Sequence, residues 1–254
     1  MIKAENLSFE YKGRSILRDL SMTLAGGELC SVIGANGSGK TTLIRLLGRA
    51  LTPSGGSIEV DSRNSTDYSS KEYAQKISVL HQSRHSPSIS AADFIAGGRY
   101  PYLGFSGRLT DADIAALNDA VALTGTESLL DRDLRQLSGG ERQRVCFAML
   151  LAQSTPYVLL DEPSTFLDAA AQIELYGLIK GLKSKGKGIL AVSHDLSFAL
   201  KYSDKILLLK NGSVAFCGKP SDSRLFGAVE QALGVRIVSH TVENETEYFI
   251  KEII

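Results

Sequence analysis

Three patterns are missing from this chain of 254 residues: paired cysteines, a surplus of one charge and a long apolar run. Cys30, Cys146 and Cys217 stand apart, two of them inside apolar stretches, and no C-x-x-C pair occurs. An odd set of isolated thiols excludes a disulfide framework and a cysteine zinc site, and it suits the reducing cytosol. Lysine plus arginine and aspartate plus glutamate both number 28, so the net charge is zero. The basic footprint of a nucleic-acid binder is therefore absent, as is the polybasic run that would adsorb directly to anionic lipid. The opening Met1-Ile2-Lys3-Ala4-Glu5-Asn6 lacks the apolar segment of a secretory signal, and no run approaches the roughly eighteen residues of a membrane span. Any link to a membrane is expected to run through a partner. Neither a repeat nor a low-complexity tract interrupts the chain, and its 43% of apolar residues suffice for a core.

What is present centres on Gly34-Ala35-Asn36-Gly37-Ser38-Gly39-Lys40-Thr41, which fits G-x-x-x-x-G-K-[ST]. A polyphosphate needs several backbone N–H groups turned inward around it, and glycines allow that curve where larger side chains would block it. The flanks supply the required context. Glu28 to Ile33 reads as a short buried strand, and Thr42 to Leu47 as the opening of an apolar-faced helix. The helix N-terminus then aims free N–H groups at the phosphates, Lys40 reaches the β- and γ-phosphates, and the Thr41 hydroxyl can ligate Mg²⁺.

Before this loop, Leu7, Phe9 and Tyr11 alternate with polar residues, and Ser15 to Met22 can pair with that strand across the Lys12-Gly13 turn. Tyr11 has two readings, as a ring that stacks on a purine or as an ordinary half-buried sheet aromatic. After the loop come the strands Ser57 to Val60 and Ile77 to Leu80, the second running into His81-Gln82 and a polar, proline-containing loop. From Ala91 to about Leu151 the pattern is helical, a lobe inserted between strands. Near its end stands Leu137-Ser138-Gly139-Gly140-Glu141-Arg142-Gln143. A capping box from Ser138 to Glu141 explains part of it. Two glycines in a first turn cost about 1 kcal/mol each relative to alanine, and they make sense if bare N–H groups must approach an anion.

Pro156 to Leu160 is a continuous apolar run of the central parallel-strand type, and Asp161-Glu162-Pro163 sits at its carboxyl end. Ligands of open α/β sheets bind at that edge. There Asp161 can hold Mg²⁺ through water, and Glu162 can accept a proton from an attacking water, unless both are simply solvated loop carboxylates. A helix from Ala169 to Lys183 and a buried strand from Gly188 to Ser193 follow. His194, at the end of that strand, either offers an imidazole donor at the same edge or merely precedes an Asp195 N-cap. Lys205 to Leu209 and Ser213 to Cys217 form a hairpin around Asn211-Gly212, with a short helix and a final strand near Glu247 to Ile250 behind it.

Taken in order, these stretches resemble the nucleotide-binding subunit of ATP-binding cassette (ABC) transporters over nearly the whole chain. The resemblance implies an α/β, P-loop NTPase (RecA-like) core with a mainly parallel sheet, an antiparallel β edge and an inserted α-helical subdomain. It divides one nucleotide-binding domain into a core of residues 1–82 and 155–218, a helical subdomain of 83–154 and a C-terminal extension of 219–254. By position, Gly34 to Thr41, with Thr42 beside it, corresponds to Walker A. Gln82 is the Q-loop glutamine, Leu137 to Gln143 the signature and Val158 to Glu162 Walker B. Leu167-Asp168 matches the D-loop, His194 the switch histidine, and Tyr11 falls where the family stacks adenine. Phe166 departs from the small or polar residue common at its position.

The resemblance implies ATP and Mg²⁺ as ligands, with Thr41, Gln82 and Asp161 around the metal and Lys40, Gln82, Glu162 and His194 serving catalysis. It also implies a head-to-tail homodimer in which Ser138, Gly139 and Gly140 of one subunit complete the ATP site of the other. Transmembrane permease subunits and, indirectly, a solute-binding protein are the expected partners, at the cytoplasmic face of the cell membrane, with no role for nucleic acid. Gly97-Gly98-Arg99-Tyr100-Pro101-Tyr102-Leu103-Gly104 is similar to a segment in ATPases of iron-siderophore, haem and cobalamin importers, and the loop after Gln82 together with Gly97 to Gly107, which offers Tyr100, Tyr102, Leu103 and Phe105, is expected to receive a permease helix. The rivals are a soluble ABC ATPase acting on DNA or translation, which carries insertions or a second cassette absent here, and a P-loop kinase, which lacks the signature.

Overall fold

A run of apolar residues with no polar alternation has to be covered on both faces, and the structure meets that demand with helices on either side of a parallel sheet. The computed structural model describes residues 1–81, 87–104, 107–165, 167–242 and 245–252. The expectations placed on Gln82, Phe105 and Phe166 lie outside the described residues.

Strands β1 (Ile2–Tyr11) and β2 (Arg14–Leu24) form the expected hairpin, followed by β3 (Leu29–Gly34) and α1 (Lys40–Leu47). Next come β4 (Gly55–Val60), β5 (Arg63–Asn64), α2 (Ser70–Ala74) and β6 (Ile77–Leu80). The antiparallel strands make a sheet of their own, ordered β2-β1-β4-β5. The helical lobe consists of α3 (Ala91–Ala96), a 3₁₀ stretch Gly97–Tyr102, α4 (Asp111–Thr124) and α5 (Gly139–Ala152). Then β7 (Tyr157–Asp161), α6 (Ala169–Ser184), β8 (Gly188–Val192), α7 (Leu196–Tyr202), β9 (Lys205–Lys210) and β10 (Ser213–Gly218) complete a six-stranded sheet ordered β10-β9-β3-β8-β7-β6. Only β10 runs antiparallel in it.

Every residue of β3, β7 and β8 is buried. Alternate side chains go to opposite layers. Leu159, Leu190 and Val192 join α1 and the antiparallel sheet in one core, whereas Val158, Leu160, Ile189 and Ala191 join α5, α6 and α7 in another. Helix α5 belongs to two cores at once. Phe147 and Leu150 face the sheet, while Val145, Ala148 and Ala152 close the small core of the helical lobe.

Tyr102 and Leu103, expected to be offered outward, are half-buried instead. The Arg99 guanidinium lies 3.8 Å from the Tyr102 ring centroid, and the Tyr102 hydroxyl donates to the Gln153 carbonyl at 2.8 Å. Arg99 is itself buried and pairs with buried Asp113 at 2.7 Å. The Thr110 hydroxyl and amide and the Arg99 guanidinium together hold that carboxyl low, at about 2.

At the carboxyl end the single expected strand proves to be half of a hairpin. After α8 (Arg224–Leu233), β11 (Val235–Val242) pairs in register with β12 (Glu245–Glu252). Gly234, at φ 69°, ends α8 and starts β11 with no intervening loop, so no run of turn residues marks the boundary.

Phe147, with 1% of its surface exposed, is the largest side chain joining the lobe to the sheet. Phe147→Ala is expected to lower the free energy of urea unfolding by about 3–5 kcal/mol, the usual cost of emptying such a site. A loss near zero would show that α5 is not anchored through this ring.

Candidate active site

Parallel strands set their carboxyl ends on one edge, and here the register does so with single-residue accuracy. Val32 of β3 pairs with Val192 of β8, and Val192 with Asp161 of β7. The Ser193 amide donates to the Val32 carbonyl and the Glu162 amide to the Val192 carbonyl, both at 3.2 Å. The phosphate-type loop after β3, the two carboxylates after β7 and His194 after β8 therefore share that edge.

Gly34 has φ 155°, and a Cβ there would come within 2.5 Å of the Leu209 carbonyl oxygen and 2.6 Å of Ser38 Oγ, so only glycine fits. Ala35, Asn36 and Gly37 then cross the exposed rim, Ser38, Gly39 and Lys40 are buried, and Thr41 and Thr42 are half-buried in the first turn of α1. That helix begins at Gly39 with no side-chain cap and no acidic residue in its first turn. Its first N–H groups are spare, and its positive end is unopposed by a local carboxylate. Ser38 Oγ is buried without a hydrogen-bond partner. An orphaned hydroxyl beside unused amide donors and an ammonium fits an anion with several oxygens.

The Lys40 ammonium donates to the carbonyls of Gly34 at 2.8 Å and Ala35 at 3.1 Å, which holds it in the loop it has to serve. Burial pushes its pKa down, against the pull of Glu162 and Asp161. Asp161 is pushed up by burial and by the Glu162 charge, while the Thr41 hydroxyl, donating to Asp161 Oδ1 at 3.1 Å, works the other way. Two hard oxygens in contact, one of them a destabilised carboxylate, suit a small divalent cation completed by phosphate and water. Among the described residues no cluster of three or more His, Cys, Asp or Glu offers an all-protein metal cage.

Glu162 adopts φ 52°, a left-handed conformation that costs a non-glycine residue energy and turns its side chain off the strand. His194 Nε2 donates to Glu162 Oε1 at 2.7 Å, and the Thr165 hydroxyl donates to Oε2 at 3.3 Å. Asp195 does cap α7, accepting from the Phe198 amide at 3.0 Å, and that cap leaves the His194 imidazole at the sheet edge in contact with Glu162.

Tyr11 is 59% exposed rather than half-buried in the sheet. Its hairpin lies against the phosphate-type loop, since Gly39 abuts Ile16 and Leu17 of β2. Ser138, Gly139 and Gly140, in contrast, open α5 on the helical lobe, away from that loop. The capping box forms in full, with the Glu141 amide donating to Ser138 Oγ at 3.3 Å and the Ser138 amide to Glu141 Oε2 at 2.8 Å. It uses neither glycine amide. A cleft of about 650 Å³ separates this turn from Leu167 and Asp168 at the start of α6. His81, to which the sequence assigned no role, follows Leu80, which pairs with Leu160, and so lies beside Asp161; burial lowers its pKa against the pull of the Asp161 charge. Its signal was the parallel register, which a strand pattern alone does not display.

Residues 17–165 match the model of the ABC transporter family. The petrobactin import ATP-binding protein YclP of Bacillus subtilis is 36% identical over 96% of this chain and 97% of its own length. The ferric enterobactin transport ATP-binding protein FepC of Escherichia coli is also 36% identical, over 92% of this chain and 88% of its own. Among solved structures, the dimeric bacterial ABC transporter cassette MJ0796 superposes with a TM-score of 0.77 at 26% identity, covering 87% of this chain and all of that one. A polyanion cradle facing a carboxylate pair, on this fold and with these relatives, means that the chain belongs to the ABC transporter family as an ATP-hydrolysing, ATP-binding subunit.

Proposed function

We propose that this subunit powers the import of a solute of the iron-siderophore, haem or cobalamin kind through permease partners. The observation that carries the reading is the near full-length likeness to two ATP-binding proteins named for petrobactin and ferric enterobactin. In this reading Gly34 to Thr42 enclose the ATP phosphates, Lys40 neutralises the β- and γ-oxygens and the exposed Tyr11 ring stacks on adenine. Thr41, Asp161 and Gln82 would hold Mg²⁺, which supplies positive charge against those phosphate oxygens. Glu162 takes the proton of the attacking water, and His194 fixes the carboxylate's orientation through their 2.7 Å contact.

Two chains then meet head to tail. Support comes from the exposed position of Ser138 and Gly139, with glycine amides that the capping box does not use. Presented by a second copy, the Ser138 hydroxyl and these amides would bind the γ-phosphate only while it remains, so that hydrolysis loosens the pair. No helix among the described residues is long and apolar enough to cross a membrane. Attachment to the cytoplasmic face is assigned to the permease subunits, with a solute-binding protein delivering cargo to them.

The segment Gly97–Tyr102 provides the docking surface. It is held from behind: a Cβ on Gly98 would meet the Met149 carbonyl at 2.4 Å, Arg99 donates to the Ala152 carbonyl at 2.7 Å, and Gln75 donates to the Pro101 carbonyl at 2.6 Å. On this clamped base Tyr100 stands 70% exposed, an aromatic anchor on a rigid mount.

Three outcomes are expected. Glu162→Gln should keep ATP binding and slow hydrolysis by about 10²–10⁴-fold, with ATP-dependent dimers appearing in gel filtration; a variant that turns over normally sinks the assignment. Mixing Ser138→Arg with Lys40→Ala protein, each inactive alone, should restore part of the ATPase activity, because both lesions fall on one composite site. No recovery in proven mixed dimers rules out the head-to-tail arrangement. Tyr100→Ser should spare the ATPase of the soluble subunit and abolish uptake of ferric siderophore by cells together with permease assembly; normal uptake moves the docking surface elsewhere.

A further inference from the structure

Tyr176 lies on the second turn of α6, outside every stretch that the phosphate-site reading uses, yet its hydroxyl reaches the turn that carries His194. It donates to Asp195 Oδ2 at 2.8 Å, one residue beyond His194. The ring is fixed from the side, stacked on Phe198 at a centroid distance of 4.0 Å and an interplanar angle of 22°. Asp195 has no slack to follow a different partner, because its Oδ1 accepts from the Phe198 amide at 3.0 Å and its amide donates to Ser193 Oγ at 2.9 Å.

We propose that Tyr176 is a positioning residue for hydrolysis, its hydroxyl fixing the His194 turn to α6 so that His194 keeps its contact with Glu162. The inference rests on the roles assigned to Glu162 and His194 above. A carboxylate that must meet a water molecule in line with a phosphate loses rate steeply with small displacements. Glu162 and His194 leave two different strands, and His194 is substantially exposed, so their 2.7 Å contact alone leaves the loops free to move together or apart. The Tyr176-Asp195 bond ties the His194 turn to α6. That helix is capped by Asp168, whose carboxylate accepts from the Ala171 amide at 2.8 Å.

Tyr176→Phe keeps the stacked ring and removes only the hydroxyl. The expected result is a fall in kcat of about tenfold, the scale of one hydrogen bond to a charged group, with the KM for ATP held within about twofold and the unfolding midpoint nearly unchanged. Asp195→Asn, which retains an oxygen for the α7 cap, should lower kcat similarly, and the double variant should be no slower than either single one. In a His194→Ala background, Tyr176→Phe should cost nothing more, since there is no longer a histidine to position. An unchanged kcat for Tyr176→Phe, or a full tenfold loss again in the His194→Ala background, overturns the proposal. If His194→Ala and Glu162→Gln themselves leave turnover intact, the underlying site reading fails instead.

Discussion

The parallel register of three strands is the constraint on which the rest depends. Backbone hydrogen bonds align Val32, Val192 and Asp161 across β3, β8 and β7, and each strand then ends within a residue or two of the others. No side-chain contact could achieve this as economically. The loop lies 120 residues before the carboxylates and the histidine 32 residues after Glu162, and the sheet delivers all three to one edge before any of them touches another. A slip of one residue would exchange the two core layers, sending Leu190 toward α6 and Ile189 toward α1. Burial on both faces therefore protects the site as well as the fold.

At that edge the electrostatics are unbalanced in a way that anticipates ligands. Lys40 is held by carbonyls rather than by a carboxylate salt bridge, so burial destabilises its charge. Asp161 is likewise pushed toward neutrality by burial and by the charge of Glu162. A polyphosphate restores the first and a divalent cation the second, since an opposite charge nearby favours the ionised form of each. The buried Ser38 hydroxyl without a partner and the uncapped start of α1 belong to the same account.

Much of this was legible in the residues because local chemistry and global fold agree. The glycine loop, the apolar runs before Asp161 and His194, and the Asn211-Gly212 turn each carry a period or a backbone demand that survives without neighbours, and Asn211 at φ 51° and Gly212 at φ 82° meet the last of these. What escaped is relational. The pairing of β11 with β12 is written in two strands that know nothing of each other until α7 and α8 present a surface for them. Tyr102 read as a surface ring until Arg99, neutralised by Asp113 fourteen residues away, came to cover it. Tyr176 sits in an unremarkable helix and gains meaning only from Asp195, the residue beside His194, which accepts from its hydroxyl.

The contrast between two helix starts shows why a single residue pattern can carry two readings at once. Helix α1 spends nothing on capping itself, so all its leading donors are left for an anion. The start of α5 is exposed and must stay folded without a ligand, and it does so with a capping box that employs the first and last residues of Ser138-Gly139-Gly140-Glu141. The two glycines between them contribute nothing to that box and weaken the helix they begin. Their amides take no part in the capping box, and Ser138, accepting from Glu141 through its oxygen, keeps its hydroxyl proton to donate. A cap that stabilises the helix while leaving one hydroxyl and two amides unspent is consistent with both demands, which is why neither reading of Ser138 has to exclude the other.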